Sequence, residues 1–252
     1  MIYITGDCHG DFRKFNKKNF PKQKQLTKED YVIICGDFGG IWDSDKESRK
    51  EKWWLDWLNE KAYTTLFVDG NHENFDRLNA YPLEEWHGGK IHKIRSSVLH
   101  LMRGQIFKIA DKKIFTFGGA KSHDISDGIL DKEDPDFRKK KKRLDKRKAL
   151  YRIKHLSWWE EELASKEEME EGRKNLREHD DRVDFIITHC CSSSTQIEIG
   201  GEGLFQSDSQ TDYLEFIKNY ANYQKWFFGH YHDDKNVNEK EILLYDQIIQ
   251  VV

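Results

Sequence analysis

The chain has 252 residues and a mass of 30.1 kDa, enough for one large domain with a substantial core. Apolar residues are 37% and charged residues 35% of the total, yet the net charge is only -3, so the surface is strongly ionic and the overall balance argues for no particular partner. No apolar run approaches the ~20 residues of a membrane helix. The start, Ile2-Tyr3-Ile4, predicts a strand and no signal peptide.

In chain order, residues 1–4 read as a short strand, followed by Thr5-Gly6-Asp7-Cys8-His9-Gly10. Residues 11–30 are polar and basic, a helix and a loop. Residues 31–35 form an unbroken apolar run without alternation, as in a central parallel strand buried on both faces. Gly36 ends it and delivers Asp37 to the C-terminal edge of the sheet, where open α/β folds bind ligands. A carboxylate there is costly to desolvate unless it meets a cation. Residues 46–62 predict an amphipathic helix anchored in the core by Trp53, Trp54 and Trp57. Residues 64–68 predict a third strand, ending in Asp69-Gly70-Asn71-His72-Glu73. Strand, helix and strand at this spacing imply parallel βαβ units.

Short strands at 98–102, 105–110 and 113–117 then predict an antiparallel meander that builds a second sheet, with a hairpin turn at Ala110-Asp111-Lys112. Residues 121–182 predict a charged helical insert: a basic segment over 136–155, Ser157 as an N-cap before Trp158-Trp159-Glu160-Glu161-Glu162, and a helix over 166–179. A strand over 184–188 ends in His189, and a Ser/Gly-rich loop spans 192–209. A helix over 211–220, a strand over 225–228 ending in Gly229-His230-Tyr231-His232, and a hairpin from 242–245 and 247–251 complete the chain. The four cysteines, Cys8, Cys35, Cys190 and Cys191, form neither a disulfide framework nor a CxxC zinc pattern. A reducing, cytoplasmic compartment is therefore expected.

Five strand ends thus carry metal-type residues: Asp7 and His9, Asp37, Asn71 and His72, His189, then His230 and His232. Carboxylate, amide oxygen and imidazole without thiolate suit Mn²⁺ first, with Fe or Zn²⁺ as alternatives. So many ligand-type residues are too many for one open site and enough for two ions, with Asp37 the natural bridge. Two divalent ions would bring four positive charges against two carboxylates, and the surplus would attract a phosphate.

The series Gly6-Asp7-Cys8-His9-Gly10, Gly36-Asp37, Gly70-Asn71-His72-Glu73, Thr188-His189 and Gly229-His230-Tyr231-His232 resembles the signature of calcineurin-like metallophosphoesterases, with all five blocks in order. The resemblance implies one metallophosphoesterase domain over 1–252, an α/β sandwich of two mixed β-sheets packed face to face with flanking helices, the insert at about 121–182 lying outside the pattern. It implies Asp7, His9 and His232 on one metal and Asn71, His189 and His230 on the other, a metal-bridging hydroxide as nucleophile, and His72 as the acid for the leaving group. The protein-phosphatase branch carries an arginine soon after the second-block aspartate, whereas this chain has Asp37-Phe38-Gly39-Gly40-Ile41-Trp42. A phosphodiesterase of nucleotide or nucleic-acid type is therefore expected over a phosphomonoesterase or protein phosphatase. A non-catalytic, metal-dependent nucleic-acid-binding module is the alternative of another class. Arg103 or Lys121 is expected to approach the substrate phosphate, with Asn71 and His72 also contacting it, and Glu73 to orient the Asn71-His72 loop. The basic run 138–154 suits a polyanion, but its neutralisation by an antiparallel acidic helix is the preferred expectation.

Overall fold

The structure, a computed structural model, describes residues 1–43 and 45–252. The first part of the chain comprises β1 (Ile2–Thr5), β2 (Tyr31–Ile34), α1 (Arg49–Asn59), β3 (Thr64–Phe67), the short α2 (Phe75–Leu78), β4 (Leu83–Trp86), β5 (Gly89–Arg95) and β6 (Val98–Leu101). There follow β7 (Gln105–Ile109), β8 (Lys112–Phe117), β9 (Ile129–Leu130), α3 (Phe137–Arg147), β10 (Arg152–Ile153) and α4 (Lys166–Glu178). The last part comprises β11 (Phe185–Thr188), α5 (Ser193–Gly200), α6 (Ser209–Tyr220), β12 (Lys225–Phe228), β13 (Lys235–Asn236), β14 (Glu241–Leu243) and β15 (Ile248–Gln250).

Two mixed sheets form the body. One runs β15-β1-β2-β3-β6-β5-β4, the other β13-β14-β12-β11-β8-β7. Each has a parallel centre, β1-β2-β3-β6 and β8-β11-β12-β14. The unbroken apolar run explains itself in β2. Tyr31 and Ile33 join the core between the sheets with Phe107, Ile187 and Phe227, while Val32 and Ile34 join the outer core with Phe12, Leu55 and Leu58. The second sheet's outer face packs Phe115, Ile186 and Phe228 against Met169 and Leu176 of α4 and Leu214 and Ile217 of α6. The result is a four-layer α/β sandwich with three apolar seams.

Several local expectations are corrected. The meander does not build the second sheet by itself: β6 belongs to the first sheet, pairing with β3 and β5, and only β7 and β8 enter the second. The β7–β8 turn is the expected tight one, with Ala110 and Asp111 both left-handed at φ 47° and 60°. The final two strands are not a hairpin. β14 pairs with β12 in one sheet and β15 with β1 in the other, and the corner between them is held by Asp234, which accepts the backbone N–H of Tyr245, Asp246 and Gln247. Part of the expected 192–209 loop is helical, because Ser192 caps α5 by accepting from the Thr195 N–H.

α1 starts at a reciprocal Ser48–Glu51 capping box, worth about 1 kcal/mol. Its buried residues include Leu55 and Leu58, while Trp53 is 57% exposed, so that tryptophan is not a core anchor. Within 121–182, residues Leu130, Leu144 and Ile153 form a small core of their own, whereas α4 lies in the outer layer. Ser157 does not cap a helix; its Oγ accepts from the Ile153 N–H. The basic α3 is not neutralised by α4: Lys140, Lys141 and Arg147 pair with Asp134, Asp145 and Asp127 of the same segment. No helix among the described residues is long and apolar enough to cross a membrane. All four cysteines are buried and free.

Candidate metal centre

β1, β2 and β3 of one sheet and β11 and β12 of the other end at the same rim, and the residues after them converge there. Asp7 and Asp37 are buried, as are Asn71, His189 and His230. The Asp7 carboxylate accepts from the His230 N–H at 3.0 Å and lies 3.2 Å from His232 Nε2. His9 Nε2 is 3.0 Å from His232 Nε2. One donor atom from each of Asp7, His9, Asp37 and His232 lies within 4.8 Å of the other three. Around the other Asp37 oxygen a second group gathers: His189 Nε2 is 3.2 Å from Asp37 Oδ1 and 3.3 Å from Asn71 Oδ1. The His230 ring lies 4.9 Å from that of His189. All seven ligands expected from the sequence therefore meet at one place.

The backbone is strained to put them there. His9, Asp37, His230 and His232 adopt left-handed conformations, φ 48°, 42°, 70° and 51°, which cost a non-glycine residue about 1–3 kcal/mol each. Strain of this kind persists where the surroundings over-determine it, as at sites of function. The approach is also close. A Cβ on Gly36 would lie 2.3 Å from His189 Nδ1, and one on Gly70 would lie 2.1 Å from Asp37 Oδ1, so neither position admits a side chain.

The electrostatics fit cations. Burial lowers the proton affinity of His9 and, far more strongly, of His230, where His189 and His123 add to the effect. Both rings are thus neutral and keep lone pairs for a metal. Burial opposes charge on His189 as well, but Asp37 outweighs it and pushes that imidazole up to about 9. Burial opposes charge on Asp37 too, yet the surrounding imidazoles, His189 foremost, hold it well below the ordinary carboxylate range. The attraction that holds a proton between these groups is the attraction any cation would feel.

The outer contacts were less legible. Asn71 Nδ2 donates to Ser122 Oγ at 3.4 Å, Ser122 Oγ donates to Glu162 at 2.7 Å, and Trp158 Nε1 donates to the same carboxylate at 2.8 Å. This chain turns the Asn71 oxygen toward His189. Glu73 accepts the Phe38 N–H at 2.7 Å, tying the Asn71-His72 loop to the Asp37 loop. His123 stacks on His230 at 4.5 Å. None of Ser122, His123 or Glu162 has a motif to announce it.

The expected phosphate contacts are revised. Arg103 is buried away from the centre, donating to Asp69 at 2.5 and 2.9 Å and to Glu168 at 3.3 Å, so its charge is already matched and it is no substrate contact. Arg152, from β10, is the cation that arrives: its Nη2 is 3.1 Å from His72 Nε2, with Nε donating to Asp124 at 2.6 Å and Nη1 to the Ser157 carbonyl at 3.0 Å. Only its place in the basic run 138–154 hinted at it. Two cavities flank the ligands. One of about 240 Å³ is lined by His9, Trp42, Lys50, Trp54 and His72. The other, about 390 Å³, is lined by Lys121, His123, Gln196, Phe205 and His230. Lys121 therefore does border the centre.

The chain is similar to several known proteins. Lariat debranching enzyme A of Xenopus laevis is 24% identical over 144 residues, covering 52% of this chain but 26% of that enzyme, so the match spans about a quarter of that relative's length. The crystal structure of phosphopantetheinyl hydrolase from Mycobacterium tuberculosis superposes with a TM-score of 0.45 and 13% identity, covering 97% of this chain and 87% of that one. The family model of the calcineurin-like phosphoesterases matches residues 1–234. The chain belongs to the calcineurin-like phosphoesterase family.

Proposed function

We propose that the chain hydrolyses phosphodiesters at a two-metal centre in which Asp7, His9 and His232 would hold one divalent cation, Asn71, His189 and His230 would hold the other, and Asp37 would serve both. The observation that carries this is the split reach of Asp37: Oδ2 lies 3.6 Å from His9 Nδ1 while Oδ1 lies 3.2 Å from His189 Nε2. Bound there, two cations would supply Lewis-acid charge for the phosphoryl oxygens and would lower the pKa of water towards ~7. Mn²⁺ is the ion we would supply first, since the donor set is oxygen and imidazole without thiolate.

The chain's own groups do the rest. Arg152, fixed by Asp124 and Ser157, offers its guanidinium beside His72 to a phosphate oxygen. His72 Nε2 accepts from Arg152 in this arrangement, and burial lowers its proton affinity. An arriving phosphate takes over the Arg152 donor, and its negative charge favours a proton on His72, which then passes to the leaving oxygen.

A diester is favoured over a monoester because two separate cavities border different ligands, His9 on one side and His230 on the other. A diester has a substituent for each. Buried free cysteines agree with a cytoplasmic setting. Exposed Lys139, Lys142 and Arg143 on α3 have no ion pair among the described residues, which would suit a polyanionic substrate over a small nucleotide. The test is turnover of bis-p-nitrophenyl phosphate against p-nitrophenyl phosphate with Mn²⁺ and with chelator. Faster diester hydrolysis, abolished by chelation, supports the reading; faster monoester hydrolysis replaces it with the phosphomonoesterase.

A further inference from the structure

A third cavity, about 650 Å³, lies apart from the metal ligands, between β5, β6, α2 and the stretch 158–168. Its floor is a chain of buried polar groups. Asp69 Oδ1 is 3.1 Å from His100 Nε2, and His100 Nδ1 is 3.0 Å from His92 Nδ1. Asp69, His92 and His100 are 1%, 6% and 4% exposed. None of this is used by the phosphoesterase chemistry.

The Asp69 carboxylate, an acceptor only, orients the floor. Arg103 pairs with the Asp69 carboxylate through its Nε and Nη2 donors, and the same carboxylate faces His100 Nε2. A carboxylate only accepts, so His100 donates to Asp69 from Nε2; in the tautomer that carries this one proton, His100 Nδ1 accepts from the His92 Nδ1–H. His92 is left with a bare lone pair at Nε2. That atom has no protein partner among the described residues and is not sealed from solvent. Burial, with His100 beside it, holds His92 down to about 4, so it is neutral near pH 7.

The walls add sign and shape. Four carboxylates, Asp69, Glu160, Glu161 and Glu168, line the cavity against one guanidinium, Arg103. Arg103 is spent on Asp69, Glu168 and the Glu161 carbonyl, whereas the carboxylates of Glu160 and Glu161 have no hydrogen bond or ion pair among the described residues. Phe75 and Trp158 supply aromatic surface. A buried acceptor, free carboxylates and aromatic walls together select a hydrogen-bond donor that is positively charged and partly apolar.

We propose that this cavity is a second ligand site, for a small organic cation carrying a primary ammonium on an apolar body, with the ammonium donating to His92 Nε2 and facing Glu160 and Glu161. The 158–162 stretch separates it from the metal centre: Trp158 lines the cavity and also donates to Glu162, which supports Ser122 and Asn71.

The test uses the full chain and calorimetric titration at pH 7 with 2-phenylethylammonium, 2-phenylethanol and phenylacetate. Saturable binding of the ammonium, with the alcohol and the carboxylate weaker by at least ~10-fold, is expected. His92→Phe should abolish it. Should that variant fail to fold, the surface pair Glu160→Gln/Glu161→Gln should still weaken ammonium binding by ~10-fold with an unchanged melting temperature. Equal binding of alcohol and ammonium, no saturable binding, or an unaltered affinity in the rim variant overturns the proposal. Each readout is independent of phosphoesterase turnover.

Discussion

Arg152 Nη2 sits 3.1 Å from His72 Nε2, bringing a cation of the 121–182 segment to a residue that follows a metal-type asparagine. Arg152 is 7% exposed, and its guanidinium is aimed by Asp124 and the Ser157 carbonyl. Charge-assisted hydrogen bonds to an anion are worth about 1.5–3 kcal/mol. Arg152→Ala should therefore lower kcat/KM by roughly 10–100-fold, with Arg152→Lys intermediate. Metal content should not change. A variant with wild-type kcat/KM would leave the guanidinium a purely structural role.

Arg103 gives the contrasting outcome. It is buried with Asp69 and serves no anion at the centre, so Arg103→Met strands a carboxylate in the interior. Breaking such a pair costs about 3–5 kcal/mol, and for a chain of this size the melting temperature should fall by about 10 °C. KM should stay near its original value. A rise in KM without loss of stability would restore Arg103 as a substrate contact.

His72→Ala should leave the metal content unchanged and lose roughly 10²–10⁴ in kcat on diesters with poor leaving groups. Nitrophenyl esters, which leave without a proton, should lose far less. Equal losses on alkyl and nitrophenyl esters, measured side by side, would remove the proton-transfer role and leave positioning.

Acid sensitivity should trace in part to His92. Its folded pKa is depressed to about 4 by burial and by the facing His100, itself on the Asp69–Arg103 pair. The unfolded chain, with a histidine pKa near ~6.5, then binds more protons between these values. Stability contributed by the neutral ring is full above pH ~6.5 and is lost as the pH falls towards ~4, by about 1–3 kcal/mol. Denaturant titrations across that window should show a shallower slope for His92→Phe than for the wild type. An identical slope would mean that other groups govern the acid limb.

Most of the centre was legible because its residues follow apolar strands. The run Tyr31-Val32-Ile33-Ile34 shows a strand buried on both faces, and Gly36-Asp37 shows what it delivers. Glycine there is forced by contact, as the 2.3 Å gap between a Gly36 Cβ and His189 Nδ1 makes plain. What the sequence concealed depends on long-range pairing. β6 could have joined either sheet, and the two last strands look like a hairpin until Asp234 turns the corner between sheets. Arg152, Ser122 and Glu162 reach the centre from a segment whose own small core sets their positions. No local pattern distinguishes Arg152 from the exposed Lys139 or Arg143 in the same basic run.

Metal content measured on purified protein, with the ions located by anomalous scattering, tests the two-cation centre most directly. The account predicts two ions per chain, one against Asp7, His9 and His232 and one against Asn71, His189 and His230, with Asp37→Asn losing occupancy and turnover together. A single ion at saturating metal, or full turnover with Asp37 replaced, would contradict it.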